Sequence, residues 1–248
     1  MQSISKRELF IEAFEAYKRH LNFLFNIGLL MFAIQIILPS LITNLIAGSG
    51  MIYIIYQISY TVLSTGISLG VIAQMLRIMK GGEPEQLVNV FNYFNKVPSN
   101  LLGSFIILAG FAGIGTLFLL LIVDMPVYTE IITNLSNGTD PNMETLFGEE
   151  PSLIVVGSII LMAIVIVYLS IKTHFFVYYI IDKNYSALQS LKQSFISTNG
   201  LEAELFIVWA ILGCMNLAGA MLYMIGLLFT LPFTILTIST IYNRYLSK

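Results

Sequence analysis

Apolar runs broken by short polar stretches dominate this chain. A helix that crosses a bilayer needs roughly 20 mostly apolar residues. Six runs meet that demand: about 22–46, 52–76, 101–123, 152–171, 203–223 and 227–243. The fourth has an apolar extension to Ile181, and the last two meet near Gly226 as a tight helical hairpin.

Three polar stretches carry a different pattern. Residues 9–20 (LFIEAFEAYKRH), 87–98 (LVNVFNYFNKVP) and 188–199 (LQSLKQSFISTN) each open on Leu and each lead into an apolar run. Apolar side chains recur in them every three or four residues, which predicts amphipathic helices. The expected apolar faces are Phe10, Phe14, Tyr17 and Leu21, with Leu9 and Ala13 beside them; Leu87, Val90, Phe91 and Phe94; and Leu188, Leu191 and Phe195. Ser5-x-x-Glu8 and Ser186-x-x-Gln189 have the spacing of capping boxes. Pro84 is placed as a first helical residue, and Gly200 as a helix stop. Helices of this kind lie in the headgroup plane with the apolar face down. The expected fold is therefore all-α: six transmembrane helices plus three cytoplasmic amphipathic interfacial helices, in three repeats of one interfacial helix and two spans. The repeats run about 5–80, 84–181 and 184–248 within a single polytopic membrane domain, 1–248.

Composition agrees. The chain is 57% hydrophobic and 10% charged, with a mean hydropathy of +0.84. A soluble domain carries about 25% charged residues. So little charge could not cover a soluble surface of this size, and the lipid bilayer is the expected partner. A net charge of −2 and the lack of a basic, aromatic-laced patch exclude nucleic acid. Cys214, the one cysteine, is expected to be a small packed residue.

Charge also sets orientation. Lys6, Arg7, Lys18 and Arg19 precede the first run, and Arg77, Lys80 and Lys96 lie between the second and third. Lys172, Lys183 and Lys192 lie at the end of the fourth or beyond it, and Arg244 and Lys248 close the sequence. Those are all 12 Lys and Arg residues, and they fall on one side of a six-span topology. The positive-inside rule then places both termini in the cytoplasm, in a cytoplasmic (inner) membrane. The other side has an acidic loop, 124–151, with Asp124, Glu130, Asp140, Glu144, Glu149 and Glu150.

Three stretches carry a resemblance to known proteins: ISLGVIAQMLRIMKGGEPEQLVNVFNYF (67–94), KTHFFVYYIIDKNYSALQSLKQSF (172–195) and YMIGLLFTLPFTILTISTIYNRY (223–245). Their order resembles the bacterial DUF975-like multi-pass membrane proteins of unknown function and the membrane domain of glycerophosphodiester phosphodiesterases. The resemblance implies a six-span fold with interfacial helices. The chain has no phosphodiesterase domain, so that activity is not implied.

Candidate chemistry is sparse. Two histidines, His20 and His174, cannot build a metal site alone, and the sequence shows no nucleophile triad, HExxH or phosphate loop. No cofactor and no enzymatic activity are expected. Lys172, His174 and Asp182 form the most unusual cluster, as an interfacial anchor in which Lys172 snorkels or as a functional polar site. Gln57 and Gln74, with Arg77 at the end of the same run, either line a polar path or bond across helices. Gly66, Gly70, Gly113 and Gly219 mark faces where helices approach closely, within one chain or between subunits. The expected function is a non-enzymatic membrane protein that self-assembles or serves as a subunit or scaffold. The alternatives are a transporter or channel for a small solute or ion, and a lipid-handling or membrane-shaping protein.

Overall fold

The computed structural model describes residues 4–40, 42, 50–122, 133–134, 136–138, 153–222 and 224–247. The acidic residues of the 124–151 loop lie outside these, as do residues 43–46 of the first expected span. The described chain is helical, with no strand. In order it forms α1 (Lys6–Arg19), α2 (Leu21–Phe32), α3 (Gly50–Met79), a 3₁₀ helix (Leu87–Lys96), α4 (Val97–Ile122), α5 (Leu153–Thr173), α6 (Phe176–Asp182), α7 (Ala187–Ser197), α8 (Glu202–Met221) and α9 (Leu227–Ile241). Among the described residues, five helical stretches are long and apolar enough to cross a membrane: Leu21–Ser40, Gly50–Met79, Leu87–Phe118, Val156–Asp182 and Glu202–Met221. The sixth expected span is α9, 15 residues long, which a π-helical turn continues from Tyr242 to Leu246.

The chain divides into two compact units, Met1–Gly103 with Ile171–Lys248, and Ser104–Ser170. In the first unit, α9 packs against α1, α2, α3 and α8. It buries Phe233, Leu236, Ile238 and Ile241 against Leu24 and Ile27 of α2, Val71 and Met75 of α3 and Leu205 of α8. Its buried hydroxyls close on its own backbone four residues back: Thr237 to the Phe233 carbonyl (2.8 Å), Ser239 to Ile235 (2.8 Å) and Thr240 to Leu236 (2.9 Å). Such back-bonding lets polar side chains enter an apolar core without unmet donors.

Two prolines are absorbed locally. Pro232 has no N–H to give the carbonyl of Leu228, four residues earlier. Gly28 of α2 lies against that carbonyl, where an added methyl would sit 2.1 Å from the oxygen. Ahead of Pro39, the first span widens into a π turn (Ala33–Ile37), and the Leu38 N–H reaches back to the Ala33 carbonyl.

The amphipathic stretches differ from expectation in their details. In α1 the buried residues are Leu9, Ala13 and Tyr17, while Phe14 and Leu21 are exposed. The helix is rotated because the Leu9–Ala13–Tyr17 row faces α9, where Tyr17 meets Phe233 edge-on at 5.7 Å and Phe10 stacks on the same ring at 6.5 Å. The Ser5 box does not close, since Glu8 is drawn to Arg244 (2.8 Å); the Ser186 box does. Residue 84 is not helical, and the second stretch starts at Leu87 as a 3₁₀ helix. In α7 the buried face is Ala187, Ser190, Leu191 and Ser194, so Leu188 and Phe195 point outward. Gly200 does stop α7's segment, at φ +79°.

The 3₁₀ helix explains two glycines. It lies along α3, with Val90 fully buried. A methyl on Gly70 would sit 2.0 Å from the Val90 carbonyl oxygen, and one on Gly66 2.6 Å from the Phe94 ring. Gly219 is likewise filled from within the chain, by Gly226 and Thr230. Nothing described lies within 4 Å of a methyl added at Gly113. Replacing Gly70 by Leu forces the two backbones apart and is expected to cost about 3 kcal/mol or more. Thermal melting in detergent should show a large drop for Gly70→Leu and little change for Gly113→Ala.

Candidate functional site

The polar groups of the first unit gather where α3 ends and α6 ends. The double glycine Gly81-Gly82 makes this possible, since Gly81 adopts φ +81°, terminates α3 and turns the chain back along it. The returning segment places Glu85 beside α3, and its N–H donates to the Gln74 side-chain oxygen (3.0 Å). Gln74 is 1% exposed, so this bond satisfies an otherwise orphaned amide oxygen. Arg77 donates through Nε to the Glu83 carbonyl (2.9 Å) and through Nη1 to Glu85.

α6 exists because α5 breaks. A turn at His174–Phe175 ends α5, and α6 follows with Phe176, Tyr178, Tyr179 and Ile180 buried. The FFVYYII run is thus core of the first unit. It delivers Asp182 to the end of α3, where the carboxylate pairs with Lys80 and accepts from the Tyr242 hydroxyl (3.1 Å). Lys183 stands 3.8 Å from its second oxygen. The Asp182 side chain is only 9% exposed, whereas those of Lys80 and Arg77 are 46% and 50% exposed. Tyr242 is held in turn by stacking on Tyr178 (5.3 Å) and by an edge contact with Tyr179 (5.1 Å). The Tyr179 hydroxyl donates to the Leu246 carbonyl (2.7 Å), and Asn243 donates to the Met79 carbonyl (3.0 Å).

These elements enclose an open pocket of about 390 Å³. Arg77, Lys80, Tyr93 and Asp182 supply its polar wall, and Ala73, Leu76 and Ile181 its apolar floor. The size lies within the range of small-molecule sites.

Lys172 lies elsewhere. It is 1% exposed and does not snorkel. Its ammonium donates to Asn199 (2.6 Å) and to Glu202 (2.5 Å), and its carbonyl accepts from the buried Ser194 hydroxyl (2.6 Å). A buried cation persists only when paired and bonded in this way. His174 packs edge-on against Trp209 at 4.4 Å. The expected trio therefore separates: Lys172 ties α5 to the start of α8, His174 is an aromatic packing residue, and Asp182 belongs to the pocket. Gln57 and Gln74 are also apart, by about 25 Å of helix at 1.5 Å rise per residue. Cys214, expected to be packed, is exposed.

Sequence reading missed Lys80, Glu85 and Tyr242 as partners of Arg77 and Asp182, and Tyr93 as a lining residue of the same pocket. Lys80 was only a contribution to the charge asymmetry, and nothing in the spacing links residues 80, 93, 182 and 242. Asn199 and Glu202 were missed as partners of Lys172 for the same reason. No protein-family model matches the sequence, and no curated protein and no solved structure matches it either.

Removing the Lys172 charge leaves Glu202 without its partner. Lys172→Met is expected to destabilise the chain by about 1 kcal/mol, because Glu202 is 28% exposed and water takes over part of the pairing. The double variant Lys172→Met/Glu202→Gln should recover most of that loss in chemical denaturation, whereas equal losses in both would mean that packing and not the ion pair matters.

Proposed function

We propose that this is a non-enzymatic integral membrane protein that assembles with a second copy of itself through residues 104–118 and 156–170. One observation carries the reading: no described residue in either stretch is buried. Both belong to helices apolar enough to cross a membrane. Gly110, Gly113, Gly115 and Gly157 have open space where a side chain would be, among the described residues. In lipid, apolar surface alone does not drive helices together; close backbone approach at small residues does. Glycines left open in the single chain are the residue type that such an approach uses. A second copy is the partner of matching chemistry, because these stretches carry no Asp, Glu, Lys or Arg to select a charged one.

In this reading α9 with its π turn makes the sixth crossing, and both termini lie on the cytoplasmic side of the inner membrane. Support comes from charge: every Lys and Arg falls in Met1–Gly103 or Ile171–Lys248, and none in Ser104–Ser170.

Light scattering of the purified protein across a dilution series in mild detergent tests the assembly. A particle of two chains or more that falls to one chain in Gly113→Leu is expected, with the melting temperature of the dissociated chain unchanged. A single chain at every concentration in the unmodified protein overturns the proposal. A stoichiometric foreign chain in its place would make the protein a subunit of a mixed complex.

A further inference from the structure

We infer that the pocket between the ends of α3 and α6 binds a phosphate-ester anion, with Arg77, Lys80 and Tyr93 as its ligands. The pocket holds more donors than the described residues engage. A guanidinium has five N–H groups. Arg77 commits its Nε to the Glu83 carbonyl and its Nη1 to Glu85, which fixes the plane of the fork. The Nη2 edge remains, on a side chain that is half exposed and lines the pocket. Lys80 has three donors and gives one to Asp182. Tyr93 lines the same space.

The acidic groups nearby position these cations and do not fill the pocket. Asp182 is almost buried, and its two oxygens are taken by Lys80 and Tyr242. Glu85 is engaged by Arg77 and by the Asn89 side chain (3.0 Å). Glu83 is 87% exposed and lies 3.8 Å from His20. Among the lining residues two cations, Arg77 and Lys80, stand against one carboxylate, Asp182, an excess of one positive charge at the wall itself.

A tetrahedral oxyanion suits this arrangement. It can accept from the outer edge of a planar fork, from an ammonium and from a hydroxyl on separate oxygens, which a planar carboxylate does less well. The apolar floor of Ala73, Leu76 and Ile181 suits the carbon side of an ester. Such an anion is a phospholipid headgroup or a soluble phosphate. Basic pockets between spanning helices on the cytoplasmic side are built for headgroups.

Isothermal titration of the full chain in a neutral detergent separates the cases. The probes are dioctanoyl phosphatidylglycerol, inorganic phosphate and dioctanoylglycerol, which has no phosphate. Saturable binding of the phospholipid alone assigns a headgroup site, and binding of inorganic phosphate as well assigns a phosphate site. No binding of either, or equal binding of dioctanoylglycerol, overturns the inference. Arg77→Gln should weaken binding by about tenfold and Tyr93→Phe by about threefold. Tyr93→Phe keeps the loop network of Arg77 and decides the matter if Arg77→Gln does not fold; an unchanged affinity in it removes Tyr93 and overturns the stated ligand set. Arg244→Gln, which alters a cation bound to Glu8 and Glu12, should bind as the unmodified protein does. An equal loss there would mean diffuse charge attraction and overturn the site.

Discussion

The carboxylate of Asp182 is the joint on which the charged end of the first unit depends. It is nearly buried, so its charge could not persist without compensation. Lys80 at the end of α3 and the Tyr242 hydroxyl beyond α9 supply that compensation. One short side chain thereby fixes three elements that are far apart in sequence. The aromatic group around it adds stiffness, with Tyr178 and Tyr179 both against Tyr242. Tyr179 and Asn243 then fasten the last turn of the chain by backbone carbonyls. Arg244 adds surface pairs to Glu8 and Glu12, each worth about 1 kcal/mol or less in water.

Burial along the chain is uneven. The second half of α3 is packed from Gly66 onward, while its first half from Gly50 to Val62 has no buried residue. The same holds for 104–118 and 156–170. Polar partners and tight packing thus concentrate in Met1–Gly103 and Ile171–Lys248. In Ser104–Ser170 the Thr116 and Ser170 hydroxyls donate to carbonyls four residues back, Ala112 and Ile166, a local pairing that suits a helix in hydrocarbon. In the pocket on the packed part, Arg77 and Lys80 are each paired with a carboxylate.

Much of the helical order was legible in the sequence. Runs at 52–76 and 203–223 became Gly50–Met79 and Glu202–Met221, because length and hydropathy alone make a helix there. The Gly200 stop and the Ser186 box were legible too, since both are local backbone chemistry. The helix faces were less so. Leu9 and Ala13 took the centre of the α1 face and Phe14 was left exposed, because α9 offered Phe233 at that angle, where Tyr17 and Phe10 meet its ring. Serines displaced Leu188 and Phe195 in α7, where Ser194 is needed to bond the Lys172 carbonyl. Periodicity ranks faces by hydrophobicity and knows nothing of the partner.

What the sequence by itself determined was an all-helical chain of apolar runs, its charge asymmetry and its local stops, all set by neighbours a few residues apart. The tertiary structure alone decided which polar residues meet. Lys172 found Asn199 and Glu202 instead of water, and Asp182 found Lys80 and Tyr242 instead of His174. The reason is physical. A buried charge must be compensated within hydrogen-bond reach, and reach is set by how α3, α6, α8 and α9 pack, not by their separation in sequence.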